Sequence, residues 1–228
     1  MTTFVLIPGA GGASAYWHRV VPLLEAAGHE TIAVELPGVD ETKGLADYVD
    51  LTIAAIGARK DVILVAQSLG GFTAPLVATK LPAARGIVFV NAMIPKPGET
   101  SGAWWGNTGF EEARSLAAKE HGYSPTFDLA TYFLHDLNED DTKAVMNDAR
   151  PQSKKIFGDA AVFEWPKIPI RVIVGTEDRF FPREFQHRVA RERIGPDVQI
   201  DDIRGGHLFA LSNPGELVDR LLDFARQS

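Results

Sequence analysis

Short apolar runs rich in valine and isoleucine recur along the chain and alternate with stretches of helical spacing. Such runs, separated by segments with apolar residues three and four positions apart, are typical of strands that alternate with helices. That alternation indicates a mostly parallel sheet covered by helices on both faces. The pattern therefore predicts an α/β fold with about six strands, at residues 3–8, 30–36, 61–67, 85–91, 168–175 and 197–203.

The alternation of strands and helices ends after the fourth predicted strand. From Ala92 to Pro166 the strands stop, and aromatic residues are spread among helix-like and proline-containing pieces. We interpret residues 92–166 as a helical cap inserted into a single domain that spans residues 1–228. Trp104, Trp105 and Phe133 belong to this cap and are candidate substrate-binding residues, with packing of the cap as the alternative.

Composition narrows the classes of partner and chemistry. The 23 Lys and Arg residues against 30 Asp and Glu give a net charge of −7, with no dense basic run, so a nucleic-acid partner is not expected. The absence of cysteine excludes thiolate nucleophiles and cysteine-ligated zinc. The N-terminal apolar stretch follows no positive charge and is too short for a signal peptide or a membrane span. We expect a cytoplasmic protein that does not bind membranes.

A serine stands where the third predicted strand meets a helix. In "LVAQSLGGFTAPL" the strand leads to Ser68, and small residues lie two positions before it, at Ala66, and two after it, at Gly70. This spacing matches the nucleophile elbow GxSxG, a sharp strand-to-helix turn that exposes a serine hydroxyl. A serine that only caps the helix is the alternative interpretation of the motif taken alone.

A reactive serine needs a base and an acid that orients the base. "VIVGTEDRFFP" offers Glu177 and Asp178 after one apolar strand, and "IRGGHLF" offers His207 after the last. The carboxyl ends of parallel strands meet at one edge of a sheet, so we prefer Asp178 as the acid and His207 as the base. The other five histidines lie in predicted helices, at a strand start or in the cap, where His135 is expected to face solvent.

The loop after the first strand reads "IPGAGGASA". It has no lysine at its end and does not match a phosphate-binding loop, and its glycines do not have the dinucleotide spacing. Glycines there allow close approach of the backbone to a substrate. Together with the amide after the nucleophile, this loop predicts an oxyanion hole formed by the backbone N–H groups of Ala10 and Leu69.

These ordered motifs, with "VVPLLEAAGHE" and "LFALSNPGEL", resemble the α/β-hydrolase superfamily, in the branch of plant methyl esterases, hydroxynitrile lyases and related bacterial esterases. The resemblance implies the α/β-hydrolase fold, Ser68 as nucleophile, His207 as base, Asp178 as acid, and the amides of Ala10 and Leu69 as oxyanion donors. The chain departs from the family pattern at three positions: Pro8 replaces the usual histidine, Ala66 a glycine, and Gln67 a frequent histidine.

The same resemblance distinguishes ester hydrolysis from hydroxynitrile cleavage by the residues at two positions. Lyases of this branch carry a hydroxyl or amide side chain just before the oxyanion residue, and those with threonine there also carry a lysine after the catalytic histidine. Gly9 and Leu208 occupy these places. We therefore expect hydrolysis of a small carboxylic ester, with Gly9 at the substrate and without a metal or organic cofactor. The alternatives are a hydroxynitrile lyase or other carbon–carbon cleaving enzyme, and a ligand receptor with a hydrolase-like pocket. The oligomeric state stays open, a homodimer included.

Overall fold

A computed structural model describes all residues, 1–228. It contains a six-stranded sheet in the order β2-β1-β3-β4-β7-β8, in which every neighbouring pair is parallel. Strands β5 and β6 form a separate antiparallel pair. Each strand predicted from the sequence is present within three residues of its expected ends, and the predicted fold class is confirmed. The strands are β1 (Thr3–Ile7), β2 (Glu30–Ala33), β3 (Val62–Gln67), β4 (Ala84–Val90), β5 (Glu99–Thr100), β6 (Ala160–Ala161), β7 (Ile170–Gly175) and β8 (Gln199–Ile203).

Eleven helices connect and cover the strands, together with 3₁₀ turns at Ser14–Trp17 and Ser68–Phe72. None of the eleven combines the length and apolar character needed to cross a bilayer. The helices are α1 (Val21–Ala26), α2 (Leu45–Ile56), α3 (Thr73–Lys80), α4 (Ser101–Asn107), α5 (Phe110–His121), α6 (Leu129–Tyr132), α7 (Glu139–Asn147), α8 (Lys155–Gly158), α9 (Arg183–Arg193), α10 (Phe209–Ser212) and α11 (Pro214–Gln227).

The apolar strands are buried on both faces, and successive residues belong to different cores. In β1, Val5 and Ile7 join a cluster of 32 buried residues that includes side chains of α2, α3 and α9. Phe4 and Leu6 point the other way, into a cluster of 17 that includes side chains of α1 and α11. Because side chains alternate along a strand, a strand covered on both sides must be apolar throughout. This explains the unbroken hydrophobic runs in the sequence.

The chain between β4 and β7 contains helices α4 to α8, where the sequence predicts a helical cap. The expectation that this segment lacks strands is wrong, since β5 pairs with β6 through Glu99 opposite Ala161 and Thr100 opposite Ala160. Two-residue strands are too short to leave a periodic signal. Glu99 also forms a buried ion pair with Arg193 of α9, which ties the start of the cap to the body. We call residues 92–166 the cap and the rest of the chain the body, and that the cap is a separate unit stays a prediction.

Candidate active site

The turn after β3 holds Ser68 in a backbone conformation that few residues adopt. Its φ is +48°, in the left-handed region, at the first residue of the 3₁₀ turn. The turn packs so closely that a Cβ on Gly70 would lie 2.6 Å from the carbonyl oxygen of Pro8, and one on Gly71 would overlap the carbonyl oxygen of Met93. The two glycines are therefore required by contact with neighbouring backbone, as a nucleophile elbow demands.

The three side chains predicted to act together lie within hydrogen-bonding distance. His207 Nε2 is 3.2 Å from Ser68 Oγ, and His207 Nδ1 is 2.8 Å from Asp178 Oδ2. All three are buried, with exposed fractions of 8% for Ser68, 5% for Asp178 and 2% for His207. With the proton on Nδ1 directed at the carboxylate, Nε2 is free to accept the serine proton. The arrangement can activate a hydroxyl nucleophile.

Asp178 is oriented by the loop that follows it. Its Oδ1 accepts hydrogen bonds from the backbone N–H groups of Phe180 (2.8 Å) and Phe181 (2.9 Å), which leaves Oδ2 for His207. Gln186 of α9 also donates to Oδ2, at 3.3 Å. The competing candidate, Glu177, is exposed and accepts a hydrogen bond from Arg204 instead. Of the two adjacent carboxylates, only Asp178 reaches the imidazole.

Aromatic rings enclose the imidazole of His207. The Phe133 ring stacks on it, with centroids 4.8 Å apart and planes 18° apart. Phe180 and Phe181 meet it edge-on at 5.1 and 5.0 Å. Rings packed this closely keep water from the imidazole and hold it in one orientation.

Asn91 fixes the backbone that carries His207, and the sequence reasoning missed it. This fully buried residue follows β4 with a φ of +42°. Its Nδ2 donates to the carbonyl oxygens of Gly206 (2.9 Å) and His207 (3.2 Å), and its Oδ1 accepts from Gly175 N–H (2.7 Å). The amide thus joins β4, β7 and the His207 loop. A polar residue directly after an apolar strand was the available signal.

The two predicted oxyanion donors lie on neighbouring loops. Neither the N–H of Ala10 nor that of Leu69 donates a hydrogen bond within the protein, since Leu69 is in the first turn of its helix, where N–H groups have no partner. A Cβ on Gly9 would lie 2.9 Å from Ser68 Cβ, which shows how closely the loop after β1 approaches the nucleophile. The Leu69 N–H is next to Ser68 in the chain, and the Ala10 N–H follows Gly9, whose backbone lies against Ser68.

Gln67 occupies the position where the family often has histidine. Its Nε2 lies 3.3 Å from His207 Nε2 and 3.4 Å from the carbonyl oxygen of His207. Because the carbonyl can only accept, the amide nitrogen faces the imidazole and is a second donor to Nε2 beside Ser68. The departure from the family pattern thus places an amide at the base.

The predicted substrate-binding residues are placed differently from one another. Gly9 contacts Ser68, and Phe133 stacks on His207. Trp105 is half-buried and lies one ring away from the imidazole, against Phe180. Trp104 has no exposed surface, and its indole N–H donates to the carbonyl oxygen of Ile94 at 3.0 Å. The burial of Trp104 agrees with the alternative that it packs the cap, and its contact with a substrate stays a prediction.

The cap reaches the site through His135, which was expected to face solvent, and through its neighbour Asp136. His135 is half-buried, its Nε2 is enclosed without a partner, and burial lowers its pKa. Asp136 Oδ2 accepts hydrogen bonds from Gly206 N–H at 2.7 Å and from Ser212 Oγ at 2.6 Å. The His135–Asp136 pair therefore contacts the His207 loop instead of facing outward.

Access to the nucleophile is narrow. A cleft of about 930 Å³ between α5 and the start of α9 has Asp178 among its lining residues. Neither Ser68 nor His207 lines it. Both residues are buried, with 8% of Ser68 and 2% of His207 exposed, so little of their surface is open to a substrate. No group of three or more His, Asp or Glu side chains is arranged to hold a metal ion.

Known proteins similar to this chain are numerous. The chain is 28% identical over 260 residues to salicylic acid-binding protein 2 of Nicotiana tabacum, with 98% of this chain and 97% of the relative covered. It is 25% identical over 257 residues to polyneuridine aldehyde esterase of Rauvolfia serpentina (97% and 95% covered). A third relative, the alpha-hydroxynitrile lyase of Arabidopsis thaliana, is 37% identical over 103 residues, 40% of each chain.

The fold has close counterparts among solved structures. A crystal structure of polyneuridine aldehyde esterase superimposes with a TM-score of 0.80 at 24% identity, covering 99% of both chains. The family model described as "Alpha/beta hydrolase family" matches residues 4–220. The resemblance to the plant esterase and hydroxynitrile lyase branch is thus confirmed, and this chain belongs to the alpha/beta hydrolase family.

Proposed function

We propose that this chain, a carboxylesterase-type hydrolase, cleaves a small carboxylic ester through a Ser68-His207-Asp178 triad and an acyl-enzyme intermediate. The observation that carries the proposal is the position of His207, whose two ring nitrogens lie 3.2 Å from Ser68 Oγ and 2.8 Å from Asp178 Oδ2. This geometry is the one that makes a serine hydroxyl nucleophilic at neutral pH.

The first half of the reaction acylates the serine. Ser68 Oγ attacks the acyl carbon while His207 Nε2 takes the hydroxyl proton, and a tetrahedral oxyanion forms. His207 then gives this proton to the leaving alkoxide, so that an alcohol departs and the acyl group stays on Ser68. Asp178 holds the Nδ1 tautomer and stabilises the imidazolium that exists between the two transfers.

The second half regenerates the enzyme with water. His207 removes a proton from a water molecule, the resulting hydroxide attacks the acyl carbon, and the carboxylic acid leaves as Ser68 recovers its proton. In both halves the N–H groups of Ala10 and Leu69 bind the oxyanion. A single donor of this kind is worth about 3 kcal/mol of transition-state stabilisation.

Hydrolysis is favoured over cyanohydrin cleavage by the residues at the pocket. Gly9 has no side chain to bind a cyanohydrin hydroxyl, and a side chain there would overlap Gln67 Oε1. Leu208, which follows the base, carries no charge to attract cyanide. We therefore expect no release of benzaldehyde from mandelonitrile. Release at a rate comparable to ester turnover would favour the lyase instead.

A fluorophosphonate probe tests the proposed nucleophile directly. Such a probe reacts with an activated serine, and peptide mapping should find the adduct on Ser68 alone. The Ser68→Ala protein should neither be labelled nor hydrolyse p-nitrophenyl acetate, while keeping the circular dichroism of the wild type. A Ser68→Ala protein that retained hydrolysis would refute the proposal. No turnover on a broad panel of esters, with a strong ligand-induced rise in Tm, would favour a receptor.

The ester panel should vary acyl length and aromatic content. Phe133 and the half-buried Trp105 support a preference for apolar or aromatic groups. A cytoplasmic location and the absence of nucleic-acid and membrane partners stay predictions of the sequence, as does the oligomeric state.

A further inference from the structure

Two side chains of the cap accept hydrogen bonds from backbone N–H groups beside the reacting groups. Asp136 accepts from Gly206, which precedes the base His207, and Gln152 accepts from Gly11, which follows the oxyanion donor Ala10. We propose that Asp136 and Gln152 are positioning residues through which the cap holds the base and the oxyanion loop in their reactive places. This inference rests on the proposed esterase mechanism.

Asp136 holds the His207 loop at both ends with one oxygen. Its Oδ2 accepts from Gly206 N–H at 2.7 Å and from the hydroxyl of Ser212, in the helix after His207, at 2.6 Å. The contact is tight, because a Cβ on Gly206 would lie 2.6 Å from Asp136 Oδ1. Phe133, three residues earlier in the cap, stacks on the imidazole. One short cap segment therefore contacts both the backbone and the ring of the base.

Gln152 holds the proposed oxyanion loop, as Asp136 holds the His207 loop. Its Oε1 accepts from Gly11 N–H at 3.0 Å, while its Nε2 donates to the carbonyl oxygen of Gly38 at 3.3 Å and to Tyr48 Oη at 3.1 Å. The amide thus anchors the loop after β1 to the segment after β2. Its removal deprives Gly11, next to the Ala10 N–H, of its acceptor and loosens this part of the loop, while the Gly12 carbonyl still accepts from the Leu36 N–H.

These cap contacts link the entry of a substrate to the arrangement of the reacting groups. Ser68 and His207 are buried, and the proposal includes a movement of the cap that admits the substrate. Movement of the segment around Asp136 or Gln152 breaks the hydrogen bonds that hold the base or the oxyanion loop, and closure over the substrate restores them. The site is then fully assembled only when the cap is closed, which excludes water at the moment of attack.

Substitution of Asp136 separates the hydrogen bond from the charge. Asp136→Ala should lower kcat about 100-fold with a much smaller change in KM, because small displacements of a reacting group have effects of this size. Asp136→Asn keeps an oxygen that can accept both bonds and removes only the charge. Most of kcat should return in Asp136→Asn. A charge effect of Asp136 predicts instead that the two variants are equally slow, and that result would overturn the proposal.

A matched cap variant controls for general loosening. Asp141, also in the cap and buried, accepts a hydrogen bond from Arg19 of the body at 2.7 Å but touches no residue of the site. Asp141→Ala should lower Tm and leave kcat within a few-fold of the wild type. A loss of kcat as large as that of Asp136→Ala would overturn the positioning role. If Asp136→Ala does not fold, Ser212→Ala decides: it should lower kcat about fivefold, the effect of one hydrogen bond, and an unchanged kcat refutes the proposal.

The Gln152 contact has its own pair of variants. Gln152→Leu removes the acceptor of Gly11 and should lower kcat about tenfold, by partial loss of one oxyanion donor. Tyr48→Phe removes one of the bonds at the other end of the same amide but leaves those to Gly11 and Gly38, and should lower kcat much less than Gln152→Leu. Equal effects of the two substitutions would contradict the role given to Gln152.

One measurement does not depend on turnover. The proton shared by His207 Nδ1 and Asp178 should give a downfield proton resonance in the wild type, which Asp136→Ala should broaden or shift and Asp141→Ala should not. If no ester is hydrolysed, the proposed function fails while this resonance still tests the positioning role. If esters are hydrolysed and the resonance is the same in all three proteins, the positioning role fails alone.

Discussion

The body and the cap contribute to one site in different ways. The body supplies the proposed reacting groups, each on a loop at the carboxyl end of a strand, as Ser68 after β3, Asp178 after β7 and His207 after β8 show. The cap supplies side chains that contact these loops, such as Phe133, Asp136 and Gln152, from segments with little regular structure. Substitutions in the body should therefore remove chemistry, and those in the cap should weaken its geometry or its attachment.

The largest effect is expected for the base. His207→Ala should lower kcat by about 10⁶-fold, as loss of the nucleophile or the base of a serine triad does. His187→Ala is the control, since His187 is paired with Asp202 at 2.7 Å, away from Ser68, and should keep its activity. Kinetics on p-nitrophenyl acetate check both variants. A His207→Ala protein within tenfold of the wild type would contradict the assignment.

The acid should have the next largest effect. Asp178→Asn should lower kcat by about 10⁴-fold, because an amide at this place favours the wrong tautomer of the imidazole. The adjacent Glu177→Gln changes an exposed carboxylate paired with Arg204 and should be neutral. Steady-state kinetics of the two variants compare neighbouring carboxylates, and equal losses would show that the distinction between them is wrong.

Attachment of the cap should depend on the buried Glu99–Arg193 pair. Glu99→Gln leaves Arg193 buried without its counter-charge and should lower the free energy of unfolding by about 3 kcal/mol, with kcat changed far less than by Asp178→Asn. Urea unfolding measures the loss. Asp50→Asn, at an exposed ion pair with Lys80, is the control and should change stability little.

The same pair predicts a pH dependence of stability. Burial alone would raise the pKa of Glu99, but hydrogen bonds from Arg193, Asn107 and the Lys96 N–H hold this pKa below its ordinary value. A lowered pKa in the folded state contributes stability above the ordinary glutamate pKa, and this contribution is lost as pH falls through the lowered value. Urea unfolding between pH 7 and pH 3 should show a smaller acid loss in Glu99→Gln than in the wild type.

The smallest effect is expected where the cap touches the base through an aromatic ring. Phe133→Leu removes the stack on His207, worth about 1 kcal/mol, and should lower kcat about fivefold. Phe127→Leu is the control, because Phe127 packs on Phe133 and Phe180 but does not contact His207. Equal kcat values for the two variants would show that the stack does not matter for catalysis.

The difference between body and cap also explains what could be predicted from the sequence. Strand positions and the Ser68, Asp178 and His207 candidates follow from local patterns, because a strand end and a sharp turn are encoded by a few adjacent residues. Asn91 and Gln152 act on residues distant in the chain, at Gly206 and Gly11. Such partners are set by tertiary packing, which no local pattern specifies.

Trp104 and Trp105 illustrate the limit at neighbouring positions. Both lie on α4, where the side chain of Thr100 accepts from Ala103 N–H at 3.1 Å and fixes the start of the helix. Adjacent helical residues point about 100° apart, so the Trp104 indole is fully buried while Trp105 stays partly exposed, although both rings pack against Phe181. Their residue type gives both tryptophans the same prediction, and only their directions around the helix axis distinguish them.

The amide of Gln67 has a consequence for the resting and acylated states. His207 Nε2 has one lone pair, and it lies 3.2 Å from the serine hydroxyl and 3.3 Å from the glutamine nitrogen. Once Ser68 is esterified, its oxygen has no proton left to donate, and the glutamine is the side chain that still can. In the proposed mechanism, the His207 imidazole therefore still accepts a hydrogen bond from Gln67, the residue before the nucleophile, in the acyl-enzyme before water attacks.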